Sequence, residues 1–230
     1  MKIEIAKNAG FCFGVTRAVT LAQNVAKQYG RVYTLGELIH NELAVADLEK
    51  DGVYAVESAQ TCAGKPLIIR SHGVPRSVEE EAGRLCSPVI DATCPFVKKI
   101  HKIAGSLPEE ARLIVLGDKS HPEVIGIVGN ASCKTFVCND FEEIKALFDG
   151  GELSASDKIA LVVQTTFDRS RFLKCSERVQ TELGCVEIYD TVCNATSERQ
   201  QAAEELAKRA ALMIVVGGRS SSNTRKLAEI

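Results

Sequence analysis

The sequence predicts an α/β fold with largely parallel sheets, and three observations carry that prediction. Short apolar runs alternate with amphipathic helical stretches over the whole chain, the pattern of successive βαβ units. No low-complexity linker or block of like charge interrupts them. An internal echo is also present: Asp91-Ala92-Thr93-Cys94 and Asp190-Thr191-Val192-Cys193 each follow an apolar run and precede a long helix. Repetition of that kind suggests modules, each delivering one cysteine to a shared centre.

In chain order, Lys2–Ala6 reads as a first strand, followed by a loop around Cys12 and a helix over Thr16–Tyr29. Strand Arg31–Thr34, helix Asn41–Lys50, strand Pro66–Arg70, helix Ser77–Leu85, strand Val89–Asp91 and helix Phe96–Leu107 follow. Strand Arg112–Gly117 then leads to helix Pro122–Asn130, whose proline suits a first helical turn. Strand Lys134–Val137, helix Phe141–Phe148, strand Lys158–Gln164, helix Phe167–Leu183, strand Val186–Tyr189 and helix Ser197–Ala210 continue the alternation. Leu212–Gly217 reads as the last strand, and the chain stops inside an amphipathic helix without a stop signal.

The 230 residues suffice for one large domain or a few small, interlocked ones. A hydrophobic content of 45% and a charged content of 25% are ordinary for a soluble globular protein. The net charge of −2 gives no reason to expect nucleic acid or an anionic membrane as partner. Any anion handled here must be met by local groups. No apolar run approaches the roughly 20 residues of a membrane span, and the start carries no signal-peptide core, so a cytoplasmic protein is expected.

Nine cysteines are many for such a chain. The odd count and the missing secretion signal argue against a disulfide framework and for metal or cluster ligation by some of them. Cys62, Cys86, Cys133, Cys138, Cys175 and Cys185 read as small buried apolar residues. Cys12, Cys94 and Cys193 sit instead in turns between a strand and a helix, where a helix N-terminus stabilises a thiolate. No C-x2-C run exists, so neither a ferredoxin-type loop nor a zinc ribbon fits. Three separated thiolates would leave one iron of a cubane cluster open as a Lewis acid; three buried turn cysteines remain the plain alternative.

Three of the four histidines lie in polar loops beyond apolar strands: His40, His72 and His121. Histidine can donate to phosphate or serve as an acid or ligand near neutral pH, although a lone one is usually structural. His101, inside a helix, reads as a surface residue. Glu123 stands at a helix N-terminus, either as a cap favoured by the helix dipole or as an acid delivering a proton. Two hydroxyl-rich loops follow apolar strands, Gln164–Thr166 and Gly217–Thr224. The second offers close-approach glycines and consecutive donors before a helix, a plausible phosphate cradle without P-loop spacing; an ordinary serine-rich turn is the alternative.

Taken together, these segments closely resemble the LytB/IspH family, the 4-hydroxy-3-methylbut-2-enyl diphosphate reductases. The resemblance is carried by A-G-F-C-F-G-V around Cys12, I-H-N at His40, R-S-H-G-V at His72 and D-A-T-C-P at Cys94. It continues through G-D-K-S-H-P-E-V at His121 and Glu123, Q-T-T at Thr165, D-T-V-C-N-A-T at Cys193 and S-S-N at Ser221–Asn223. The order of the set makes it specific.

The resemblance implies three pseudo-symmetric α/β modules arranged as a trefoil around a 4Fe–4S cluster held by Cys12, Cys94 and Cys193. Residues 1–13 would pack with the third module, 14–94 and 95–190 would form the first two, and 191–230 would be an incomplete third. His40, His72, His121, Thr165, Ser221, Ser222 and Asn223 would contact the diphosphate, and Glu123 with Thr165 would deliver the proton that lets the hydroxyl leave as water. The implied reaction converts the allylic diphosphate to isopentenyl and dimethylallyl diphosphate, with electrons from a donor such as ferredoxin or flavodoxin. Family members continue beyond the point where this chain stops, so apolar surface is expected to lie uncovered on Leu212–Gly217. A truncated or degenerate relative that binds a cluster without turnover is one alternative; a zinc protein with three cysteines and a histidine is another.

Overall fold

A computed structural model describes residues 3–230. The chain divides into two compact units: one of Met1–Gly73, Val78–Cys94 and Cys193–Ile230, the other of Val74–Ser77 and Pro95–Val192.

The first unit begins with α1 (Phe13–Tyr29) and continues with β1 (Val32–Leu35), α2 (Glu42–Lys50), β2 (Val53–Val56), β3 (Leu67–Ile69), α3 (Arg76–Leu85) and β4 (Val89–Asp91). The strands form a parallel sheet in the order β2-β1-β3-β4. Leu67, Ile68 and Ile69 are wholly buried, as expected of a parallel strand covered on both faces. Ala18 and Ala22 of α1 are fully buried in the same core as Val32, Val53 and Ile68. Small residues on that helical face let α1 lie close to the sheet.

The second unit holds α4 (Pro95–Ser106), β5 (Arg112–Leu116), α5 (Pro122–Asn130), β6 (Lys134–Cys138), α6 (Phe141–Asp149), β7 (Ile159–Val163), α7 (Arg169–Arg178) and β8 (Val186–Tyr189). Its parallel sheet has the order β6-β5-β7-β8. All five residues of β7 are buried. One face packs Ile114, Leu116, Leu161 and Val163 with Phe141 and Phe172, the other Leu113, Val115, Ala160 and Val162 with Ile100 and Ile127. Each such side chain contributes about 1.5–3 kcal/mol by leaving water.

Two helices, α8 (Asn194–Ala207) and α9 (Ser222–Glu229), return the chain to the first unit. There Arg199 of α8 donates to the Gly10 carbonyl at 3.1 Å, and Asn8 donates to Glu198 at 3.3 Å, so α8 is tied to the loop that carries Cys12.

The α/β class and the parallel sheets are as the sequence predicts. Three local expectations differ. Residues 3–6 form no strand, and Lys2, the first residue of that expected element, lies outside the described ones. Leu212–Gly217 likewise pairs with no strand among the described residues; Leu212, Ile214 and Val216 are 77%, 78% and 90% exposed. A lone strand leaves its backbone groups and apolar side chains unsatisfied, so it needs neighbours to form. Conversely β2, which the sequence reading passes over, completes the first sheet beside β1.

Both sheets share one topological property. Strand order reverses between β1 and β3 in one and between β5 and β7 in the other. The connections leaving those neighbouring strands diverge, and the crevice outside their carboxyl ends is where open α/β sheets bind ligands.

Candidate active site

At the first switch point the loops after β1 and β3 bring His40 and His72 together, ring centroids 4.2 Å apart and tilted by 35°. Ser71 locks the two loops: its N–H and hydroxyl both donate to the Leu38 carbonyl, at 3.2 and 2.8 Å. The Ser71 carbonyl in turn accepts from the Cys94 N–H at 2.9 Å, so hydrogen bonds tie the histidine loops to the Cys94 loop. Burial, then the charges of Arg70 and Arg225, lower the pKa of His40. That shift favours the neutral imidazole.

The hydroxyl-rich loop lies against the same place. A side chain on Gly218 would come within 2.5 Å of the His40 carbonyl oxygen, so only glycine permits that approach. Ser221 caps α9 by accepting from Thr224 N–H at 3.3 Å, Ser222 is buried, and Asn223 Oδ1 is buried without a hydrogen-bond partner. Through Gly218, the loop that carries Ser221, Ser222 and Asn223 starts beside His40. His121 and Thr165 belong to the other unit.

Cys12, Cys94 and Cys193 all lie in the first unit, each immediately before a helix. Cys12 Sγ accepts from the Val15 N–H at 3.5 Å, capping α1. A β-carbon on Gly14 would stand 2.6 Å from Cys94 Sγ and 3.9 Å from Cys12 Sγ. The two sulfurs thus face one glycine, whose missing side chain leaves the space they point into. Arg17 of α1 fixes the approach of Cys94 by donating to the carbonyls of Ala92 and Thr93, at 3.4 and 3.2 Å. Cys12 and Cys94, two thiols at helix starts with their sulfurs beside one glycine, are the donor type a soft iron–sulfur group takes. Among the described residues no three His, Cys, Asp or Glu side chains close on one point as a single ion requires.

The remaining cysteines behave as hydrophobes. Burial pushes the Cys62 thiol up to about 11, Cys138 up to about 12 and Cys175 up to about 11, and raises Cys133 as well. Cys62, Cys86, Cys138 and Cys175 are buried; Cys133 and Cys185 are only half-buried, packed at the margins of the two cores. No disulfide joins the described residues. His101 is half-buried rather than a surface residue, because it lies beside the buried Val97–Ile100 stripe of α4.

At the second switch point the loops after β5 and β7 hold a different chemistry. His121 caps α5, its Nδ1 accepting from the Glu123 N–H at 3.1 Å. An acceptor at Nδ1 places the imidazole proton on Nε2. Glu123, Thr165 and His121 are 2%, 7% and 5% exposed. Glu123 accepts two hydrogen bonds from Thr165, one from its N–H and one from its hydroxyl, both at 2.7 Å. Gln164 joins the two loops: its Oε1 accepts from the Asp118 N–H at 3.0 Å and its Nε2 donates to Thr166 Oγ1 at 3.0 Å. Gly117 makes room, since a β-carbon there would lie 2.9 Å from the Gln164 side chain. The sequence reading does not single out Gln164, Ser71 or Arg17. Gln164 and Ser71 carried a signal, as members of Q-T-T and of R-S-H-G-V; Arg17 carried none.

Fold and site define an α/β protein whose loop chemistry collects at two switch points, with cysteines presented at helix starts. The LytB protein family model matches residues 3–230, and the chain belongs to that family. It is 41% identical to the 4-hydroxy-3-methylbut-2-enyl diphosphate reductase of Clostridioides difficile strain 630, over all of this chain and 82% of that one. It is 41% identical to the reductase of the same name from Aquifex aeolicus, over 99% of this chain and 78% of the relative. Among solved structures, the E-1-hydroxy-2-methyl-but-2-enyl-4-diphosphate reductase from Plasmodium falciparum superposes with a TM-score of 0.88 at 30% identity, over 96% of this chain and 70% of that one. A structure of (E)-4-hydroxy-3-methyl-but-2-enyl diphosphate reductase, described as the terminal enzyme of the non-mevalonate pathway, gives 0.74 at 38% identity, over 98% and 80%.

Proposed function

We propose that this chain reduces 4-hydroxy-3-methylbut-2-enyl diphosphate to isopentenyl and dimethylallyl diphosphate. The observation that carries the reading is the Glu123–Thr165 pair. It is a buried carboxylate with both oxygens engaged by one threonine, in a family whose relatives are named for this reaction. Removing an allylic hydroxyl takes two electrons and two protons and releases water. Hydroxide is a poor leaving group, so one proton must reach its oxygen as the C–O bond breaks.

Cys12, Cys94 and Cys193 are the residues that would hold a 4Fe–4S cluster. When bound, that group supplies the electrons and a Lewis-acidic iron for the alcohol. The chain's own residues do the rest. In the first unit His40, His72, Ser221, Ser222 and Asn223 are the donors for the diphosphate; in the second, His121 offers Nε2–H. Glu123 holds the proton and Thr165 passes it on through its hydroxyl. Fixing the anion in this way converts encounter into orientation. An electron donor such as ferredoxin or flavodoxin would be the protein partner, and Phe11 and Phe13, which flank Cys12, are 48% and 66% exposed for such a contact. Among the described residues no helix is long and apolar enough to cross a membrane. A cytoplasmic setting goes with a cluster held by thiolates.

The test is anaerobic purification with iron and sulfide counts, then single-turnover reduction of the allylic diphosphate by a chemically reduced sample. Cys12→Ser, Cys94→Ser and Cys193→Ser should each lose cluster colour and turnover, whereas Cys62→Ser should lose neither, because a hydroxyl is a poor ligand for iron. A full cluster in all three serine variants would refute the ligand assignment. A full cluster in the native chain without turnover would mark a non-catalytic relative.

A further inference from the structure

We propose that Arg70 is a further diphosphate-binding residue, the cation that meets the anion's charge behind the paired rings of His40 and His72. This rests on the reading of those loops as the diphosphate site.

Strand register places Arg70 there. Leu35 of β1 pairs with Ile69 of β3, so the next residues, Gly36 and Arg70, leave the sheet side by side at the switch point. Gly36 has φ 71°, and a β-carbon on it would lie 2.6 Å from Arg70 Nη1. The guanidinium is therefore folded over Gly36, towards the loop that continues through Leu38 to His40. Its charge, with that of Arg225, acts on His40. Ser71, the next residue, fastens the two loops together through Leu38.

The guanidinium has no anion of its own. Arg70 belongs to no ion pair among the described residues, and its Nε is buried without a hydrogen-bond partner. Glu57, an exposed residue, acts on it only through its field. Arg70 is half-buried, so water reaches part of the guanidinium while the buried Nε lacks a partner; an unmet buried donor is costly, and a phosphate oxygen is the partner that a planar guanidinium fork fits best. Besides Arg70, the one other cation whose charge acts on His40 is Arg225 of α9; the hydroxyl and amide donors of the Ser221–Asn223 loop are neutral. They can orient a diphosphate, but they cannot offset its charge in a chain whose own net charge is −2.

The experiment is calorimetric titration of the cluster-loaded full chain with inorganic pyrophosphate, with unfolding temperature recorded for each variant. Arg70→Met should weaken pyrophosphate binding about tenfold or more, the range of one charge-assisted hydrogen bond. Arg70→Lys should recover most of that loss, because it keeps the charge though not the fork. His72→Ala serves as the reference for the site itself. A loss in His72→Ala together with binding within twofold of native in Arg70→Met would overturn the role of Arg70 and leave the site standing. Native-like binding in both would overturn the site reading, and this proposal with it. Should Arg70→Met not fold, Arg70→Gln, which keeps two donors without charge, is judged by the same threshold.

Discussion

Both oxygens of the Glu123 carboxylate are held by a single residue, Thr165, whose N–H reaches Oε1 and whose hydroxyl reaches Oε2, each at 2.7 Å. A hydroxyl can donate in one state and accept in another. The pair can therefore exchange a proton without any heavy atom moving.

Glu123→Gln should fold, load a cluster and bind substrate, yet lose turnover by at least the 10²–10⁴-fold typical of general acid catalysis, as about the expected range. The glutamine oxygen still accepts from the Thr165 N–H, and its amide donates to the turned hydroxyl, so no hydrogen bond is lost. A simple helix cap would instead cost about 0.3–1 kcal/mol of stability with chemistry near normal. Single-turnover reduction beside a melting curve distinguishes the two.

Gly14→Ala should lower cluster content more than it lowers stability. Its β-carbon would stand 2.6 Å from Cys94 Sγ, a distance that forces the sulfur aside. Iron counts and visible absorbance read the loss, and a full native iron content would show that the sulfur has room to yield.

Gln164→Leu should weaken turnover while leaving cluster content intact. The substitution removes the hydrogen bonds that Gln164 makes to the Asp118 N–H and the Thr166 hydroxyl; each lost bond costs about 0.5–1.5 kcal/mol. The loops after β5 and β7 would loosen against each other, so kcat should fall with unfolding temperature, and Gln164→Glu should recover part of both by keeping an acceptor for Asp118.

Alkaline pH should destabilise the fold through its buried thiols. Cys138 is pushed up to about 12 and Cys175 to about 11, against an ordinary value of 9.0, so the native state binds their protons more tightly than the unfolded chain does. Their contribution is complete below about pH 9 and is lost as pH rises through the folded values. Unfolding temperature should fall between pH 9 and 11, and Cys138→Ala should flatten that slope while lowering stability at pH 7 by leaving a cavity. An unchanged slope would show that other groups govern the alkaline limb.

The sequence reading recovered most elements because apolar periodicity and turn residues are local properties. Pro122–Asn130, Val89–Asp91 and Val186–Tyr189 stand as read. Leu212–Gly217 was read as a strand on composition, but strand formation depends on a neighbour, which no local pattern reports. Motif residues such as His40, His72 and Glu123 were legible because each sits in a polar loop after an apolar run. The roles of Ser71, Arg17 and Arg70 were not, because they arise from register between β1 and β3 and from the packing of α1. Those relations exist only once distant segments meet.

The reversal of strand order that both sheets share also bears on how such a chain can change over generations. In each sheet the apolar residues that secure the fold lie within the strands, while the reactive side chains occupy two loops beyond one edge. Substitutions in those loops leave the buried layers untouched. One layout can therefore carry imidazoles in its first copy and a carboxylate with a hydroxyl in its second, while the strand cores of the two copies stay alike.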